Sequence, residues 1–367
     1  MSNCHLCKGS IVKTIYRIRD IPVLQNRVFS SEKEARNALT GNIDLVQCKE
    51  CGFVFNREFD HKVVNYDDNY ENEQAHSTYF QLYIREIIDL LKSTSYLSNK
   101  IIEIGCGKGY FLNEIMKGGL DVTGFDPAYD GDNPRIIKDY FGEKYNNIRA
   151  DTIILRHTLE HIEKPFEFIH RIAKSNRYTG KIFLEVPCFD WIVKKSAFWD
   201  IYYEHCNYFS IQTLRSMFTK SRTGRHFRDQ YLHLLADLKD LRVDIVSDYE
   251  PILLVDNLFT PELERYEQFV LENQGLMVWG AGAKGATFVN LTDPSRRFID
   301  GLIDINPKKQ NRYIAKTGHK IYGLNVLKDK KLKNILVMNE NYLAEIKNSL
   351  SKSDIKLFTL GAFSHGS

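Results

Sequence analysis

The chain has 367 residues, 43% hydrophobic and 26% charged, proportions of a globular protein long enough for two or three domains. Its formal net charge of +3 excludes a strongly one-signed surface and gives no signal for a nucleic-acid or membrane partner. No apolar run approaches the roughly 20 residues of a membrane-spanning helix. The segment Met1-Ser2-Asn3-Cys4-His5 lacks the apolar core of a signal peptide, so the expected compartment is the cytoplasm.

Four of the seven cysteines form two C-x2-C pairs, Cys4/Cys7 and Cys48/Cys51. The second pair runs into Gly52-Phe53, a tight knuckle whose glycine frees backbone amides to face sulfur. Two such knuckles supply the four thiolates that tetrahedral Zn2+ needs at about 2.3 Å. Redox dithiols and unliganded cysteines are the alternatives; disulfides are disfavoured in a reducing compartment. A four-thiolate metal has no open position, so the expected role is structural. Residues 8–47 are then an insertion of strands and a short helix.

Residues 61–78 are polar and rich in Asn, Asp and Tyr, a linker or binding loop. Apolar residues at Phe80, Tyr83, Ile87, Leu90 and Leu91 predict a helix from about Tyr79 to Leu91. Next, Ile101-Ile102-Glu103-Ile104 runs into Gly105-Cys106-Gly107-Lys108-Gly109 and a helical pattern beginning Tyr110-Phe111-Leu112. Strand, side-chain-free turn and helix start let backbone approach a ligand closely. Glu103 stands just before the turn, suited to a cationic or hydroxylated group. Val122-Thr123-Gly124-Phe125-Asp126 reads as a second strand ending in an acid suited to ribose hydroxyls. Together they point to an adenosine-containing cofactor.

The spacing is G-x-G-x-G, whereas dinucleotide sites use G-x-G-x-x-G. The segment Glu103–Gly109 resembles the first motif of class I S-adenosylmethionine (SAM) methyltransferases. That resemblance implies a glycine turn under the methionine part and Asp126 on the ribose. Its implied cofactor set is Glu103, Gly105, Cys106, Gly107, Gly109, Asp126, Pro127 and His157. The run from Asp151 through His157 to Ile162 looks like the family's fourth strand and following loop. Lys138–Phe141 falls near the adenine contact.

Strand–helix alternation over residues 100–220 predicts a doubly wound domain. After the strand Lys181–Pro187 comes an aromatic loop with Trp191 and Trp199, then Tyr202-Tyr203-Glu204-His205-Cys206-Asn207-Tyr208-Phe209-Ser210. A histidine takes a proton near neutral pH, and the adjacent carboxylate is expected to orient His205 and raise its basicity. The alternative is a loop histidine capping the helix that starts near Ser210. Further on, Leu276–Trp279 reads as a strand before Gly280-Ala281-Gly282-Ala283-Lys284-Gly285, a G-x-G-x-x-G match, with Asp304 closing the next strand. That turn is an NAD site, a substrate-phosphate site flanked by Lys284, or a structural turn; the chain beyond it is too short for a six-stranded dinucleotide domain.

Cysteine pairs, SAM motif, Glu-His-x-x-Tyr-Phe-Ser and the second glycine turn, in that order, resemble the sugar C-methyltransferases, over essentially the full length. Lys309–Ile314 with Thr317-Gly318-His319 also looks like that family's C-terminal domain. The resemblance implies an α/β chain: a class I SAM methyltransferase sheet (76–250) between a small zinc module (1–75) and a Rossmann-like C-terminal domain (251–367). It implies His205 as base, Glu204 and Tyr202 lining the sugar site, His161 assisting and Tyr70 positioning substrate. The implied reaction is C-methylation of a nucleotide-linked 4-keto-deoxysugar, with SAM as cofactor and structural zinc, in polysaccharide or secondary-metabolite assembly. Alternatives are O- or N-methylation of a related sugar or small molecule, and a non-catalytic scaffold. Oligomeric state leaves no signal in the sequence.

Overall fold

The computed structural model describes residues 3–67, 69–146, 148–245, 249–328, 332–350 and 355–361. Its centre is a seven-stranded sheet in the order Arg222–His226, Tyr231–Asp237, Lys181–Pro187, Thr152–Arg156, Lys100–Ile104, Asp121–Phe125, Ile136–Ile137. Only Tyr231–Asp237 runs against its neighbours. The inner strands are unbroken apolar runs, Ile101-Ile102, Ile153-Ile154-Leu155 and Ile182-Phe183-Leu184, buried on both faces as parallel strands under helices must be. The expected doubly wound sheet is therefore present.

The chain winds outward from Lys100–Ile104 in one direction and returns to start Thr152–Arg156 beside it, so the two strands flank the topological switch point. Ligands of open α/β sheets bind outside the strands' carboxyl ends at such a point. The glycine turn and the His157–His161 loop both lie there. The helix before this sheet, Thr78–Ser93, is slightly longer than expected because the Ser77 hydroxyl caps it, accepting the Phe80 amide.

The N-terminal sheet comprises Val12–Pro22, Thr40–Cys48 and Val54–Asn56, with a fourth strand, Asn207–Tyr208, from more than 150 residues away. Asn207 faces Phe55 and Tyr208 faces Val54, so this sheet ends on the segment that follows His205. The C-terminal sheet has five parallel strands, ordered Ile321–Tyr322, Ile299–Ile303, Leu276–Trp279, Asn334–Val337, Lys356–Thr359. One hydrophobic core joins the terminal sheets through the 189–203 loop: Phe198 stacks on Phe288, Trp199 meets Tyr266 edge-on, and Tyr16 meets Phe259. Among the described residues no helix is long and apolar enough to cross a membrane.

The second glycine turn has a packing constraint of its own. A Cβ at Gly285 would lie 1.9 Å from the Gly280 carbonyl oxygen, because the helix Ala283–Thr292 presses directly on the preceding turn. A Cβ at Gly282 meets nothing closer than 3.7 Å, at ordinary backbone angles. Gly285→Ala is expected to destabilise by about 1–3 kcal/mol, read as a lower denaturation midpoint, and Gly282→Ala by less than about 0.5 kcal/mol.

Candidate active site

A cavity of about 860 Å³ opens at the switch point and extends from the first glycine turn to the second. Gly105 and Gly107 both have positive φ, +76° and +55°. A Cβ at Gly105 would collide with the Thr158 hydroxyl at 2.1 Å, while the Gly107 position is open to the cavity. Asp126 accepts the Gly107 amide on one carboxylate oxygen and the Ala128 amide on the other, each at 2.8 Å. Cys106, Asp126 and Pro127 line the cavity beside Asp139, Tyr140 and Phe141. Gly109 does not line it: at φ +81° it begins the helix Tyr110–Met116 and packs on Ile136, so its role is conformational.

Glu103 is buried at the cavity wall, and its Oε2 has no hydrogen-bond partner among the described residues. Burial pushes its carboxyl up to about 8, against the pull of Arg156 and with added repulsion from Asp126 and Glu185. A buried, orphaned carboxylate beside an open glycine turn is the donor set a cationic, hydroxylated cofactor requires. These residues fit SAM.

His157 also lines the cavity, in a left-handed conformation (φ +49°). Its Nε2 lies 3.1 Å from Glu185 Oε1 without hydrogen-bond alignment, and its Nδ1 lies 3.6 Å from Glu160 Oε1. Burial opposes protonation, yet Glu160 and Glu185 raise the imidazole to about 9, so it is cationic at neutral pH. Glu185 in turn holds Arg156 at 2.9 Å and accepts the Tyr83 hydroxyl. The buried Glu185, Arg156 and Tyr83 of this cluster fix the wall behind the cofactor turn.

On the opposite wall, His205 stacks edge-on against both His161 and Tyr202, with ring centroids 4.7 Å apart in each case. Burial, then the nearby His161 and His157, hold its imidazole well below the ordinary histidine range, so it carries a free lone pair at neutral pH. It does not cap the following helix; Ser210 does, in a reciprocal capping box with Thr213. The expectation that Glu204 orients His205 is corrected here. Neighbouring side chains diverge at this bend, and the Glu204 carboxylate, 1% exposed, does not line the cavity but sits behind its wall, 4.0 Å from His161 Nδ1. It accepts the Tyr70 hydroxyl at 2.7 Å, the Gln25 amide at 3.2 Å and the Tyr66 hydroxyl at 3.5 Å.

Tyr70 therefore braces Glu204 while its ring forms part of the wall. Tyr66, which no motif singled out, stands closer to the chemistry, with its hydroxyl 3.1 Å from His161 Nδ1. His161 Nδ1 is also 3.0 Å from the Glu204 carbonyl, the partner that calls for a proton on that nitrogen. The Tyr202 hydroxyl donates to Asp200 at 2.9 Å, so this residue offers the cavity an aromatic face and no free donor. Asp200 also holds Lys284 of the second glycine turn at 2.8 Å, and Gln230 holds it at 3.0 Å. Lys284 is thus neutralised within the fold, against its reading as a phosphate-binding cation.

The four cysteines of the two pairs converge. Sγ atoms of Cys4 and Cys51, and of Cys7 and Cys48, are 3.7 Å apart, and all four lie within 4.8 Å of one another. A tetrahedral ion at about 2.3 Å from each sulfur sets them about 3.8 Å apart. Amides of Leu6 and Gly9 donate to Cys4 and Cys7 at 3.4 Å, as thiolate ligands require. The donor set therefore fits zinc, while the separations exceed a disulfide bond. Between these cysteines, His5 reaches across to Asn207 at 2.9 Å, two residues past His205.

Comparison with known proteins agrees with this geometry. Residues 75–221 match the family model described as a methyltransferase domain, and residues 262–356 match that of the C-methyltransferase C-terminal domain. The two matches follow one another along the chain in that order. It is 22% identical over 232 residues to the C-methyltransferase NovU of Streptomyces niveus, covering 59% of this chain. The match spans about half, 55%, of that relative's length. Similar solved structures include a SAM-dependent methyltransferase from Archaeoglobus fulgidus (15% identity, TM-score 0.33, 44% of this chain and 99% of that one). Another is magnesium protoporphyrin IX methyltransferase from Synechocystis PCC 6803 with bound SAM (16%, TM-score 0.30, 43% and 79%).

The charge state of Glu103 has a measurable consequence. An acid whose value is raised from 4.5 unfolded to about 8 folded leaves stability intact below 4.5 and removes it as pH climbs towards 8. The ligand-free protein should lose up to about 1.4 kcal/mol per pH unit from this group across that window. Glu103→Gln, followed by thermal denaturation at stepped pH, should show a flatter profile and a higher midpoint than wild type at pH 8.

Proposed function

We propose that the protein is a SAM-dependent C-methyltransferase acting on a nucleotide-linked 4-keto-deoxysugar. The observation that carries this reading is His205: an uncharged histidine facing the same cavity as the orphaned Glu103 and the open glycine turn. A carbon beside a ketone is too weak an acid to react unaided, so the site must supply a base with a free lone pair and positive charge for the enolate. The C-methyltransferase C-terminal domain over residues 262–356, and the likeness to a C-methyltransferase, support carbon over oxygen as the acceptor. The cavity's extension to the second glycine turn supports a substrate much longer than a free sugar.

Glu103 and Asp126 would hold the cofactor over the turn Gly105–Gly107. Bound there, SAM would supply an electrophilic sulfonium methyl for the enolate carbon, with the sulfonium sulfur as the leaving group. His205 takes the sugar's C3 proton, leaving the C–H electron pair as an enolate. His157, cationic and on the same cavity, supplies positive charge as the enolate oxygen develops. His161 is held by Tyr66 and the Glu204 carbonyl and keeps the His205 ring in place. Tyr70 sets the orientation of Glu204, and Tyr202 packs the other face of His205. Removing the base costs roughly 10²–10⁴-fold in rate. His205→Asn should lose methyl transfer to that extent, by chromatographic assay of product, with SAM affinity by calorimetry unchanged; undiminished transfer would refute the role.

Zinc in the four-cysteine cluster is the second part of the proposal, and its role is structural. With the ion bound, the knuckles anchor the sheet whose last strand follows His205. The purified protein should contain one zinc per chain by elemental analysis. Chelation or Cys48→Ser should lower the denaturation midpoint and slow methyl transfer together, because the base loses its support.

A further inference from the structure

We propose that Glu160 is the counter-charge that lets His205 hold the substrate proton. This rests on the reading of His205 as base. Glu160 lies in the one-turn helix Leu159–His161, 1% exposed, on the wall of the cavity. Neither carboxylate oxygen has a hydrogen-bond partner among the described residues. One oxygen of Glu160 and one ring nitrogen each of His161 and His205 all lie within 4.8 Å of one another.

Proton abstraction turns His205 into a half-buried imidazolium beside His161 and near the cationic His157. A second positive charge in that corner is prohibitive without a negative one close by. The other carboxylates are committed. Glu204 holds two tyrosine hydroxyls and an amide, Asp200 holds Lys284 and Tyr202, and Asp126 holds two amides. Glu103 stands at the cofactor turn. Glu204 Oε2 also lies 4.0 Å from His161 Nδ1, but among the described residues Glu160 is the carboxylate grouped with both His161 and His205, and both of its oxygens are unpartnered. Its nearest charged neighbour, His157 Nδ1, is 3.6 Å away, beyond hydrogen-bond reach. Glu160 is thus a positioning residue that acts through His205, the part that sequence adjacency assigns to Glu204. The C3 proton goes to His205, the C–H pair to the enolate, and no electron leaves the pair of reactants.

Hydrogen exchange at C3 isolates this step. Zinc-loaded protein in D2O, with S-adenosylhomocysteine in place of SAM and a thymidine-diphosphate 4-keto-6-deoxyhexose as probe, should wash deuterium into C3. A charge at about 5 Å in partly buried surroundings is worth roughly a hundredfold in rate, so Glu160→Gln should slow exchange by about that factor. Glu160→Asp, which keeps the charge, should exchange at least about tenfold faster than Glu160→Gln. Affinities for probe and S-adenosylhomocysteine should be unchanged in both. Exchange in Glu160→Gln within about threefold of wild type, or equal rates in both variants, would overturn the inference. A loss traced to weaker probe binding would also overturn it. No exchange in the wild type would instead remove His205 as base, and this inference with it.

Discussion

The candidate site depends on a short stretch of antiparallel backbone, the pairing of Asn207–Tyr208 with Val54–Asn56. The Asn56 amide donates to the Cys206 carbonyl at 2.9 Å at the same junction. A loop that must present a half-buried, uncharged histidine would leave unsatisfied backbone if it simply crossed the interior. Pairing with a sheet that the cysteine knuckles hold at their own end solves this. Asn207 adds a bond to the Ile162 carbonyl, tying the same strand to the loop that carries Glu160 and His161. Three distant parts of the chain are thereby fixed around one ring.

From that anchorage follows an uneven distribution of charge along the cavity. At the cofactor end, burial favours a protonated Glu103 until a cation arrives. At the acceptor end, burial strips the proton from His205. Between them, His157 keeps its proton because two carboxylates outweigh desolvation. Low polarisability makes each of these states costly alone and specific in combination. A cationic donor at one end and a carbon acid at the other are the reactants that this arrangement suits.

Much of this was legible in the sequence where the signal is local. Glycines at 105 and 107 announce a turn that disfavours side chains, and the collision with Thr158 at Gly105 and the positive φ of both residues are the physical reasons. C-x2-C spacing makes two loops each present a pair of sulfurs, so convergence of Cys4, Cys7, Cys48 and Cys51 needs only that the loops meet. Parallel strands declare themselves as continuous apolar runs. Non-local partnerships were not legible. Nothing in Asn207-Tyr208 says that it completes a sheet begun at Val12. Glu204 was favoured because it adjoins His205 in the chain, but the bend turns it towards Tyr66 and Tyr70, and Glu160 comes to the histidines from another loop. Lys284 likewise looked free until folding set it against Asp200.

The central claim is that this cavity delivers a methyl group to a ring carbon. It is tested most directly by incubating the protein with methyl-13C-labelled SAM and a thymidine-diphosphate 4-keto-6-deoxyhexose, then recording carbon–proton correlation spectra of the product. The account predicts a labelled methyl in the aliphatic region, correlated through bonds to the carbons flanking C3. A labelled signal at the shift of a methoxy or N-methyl group would contradict it.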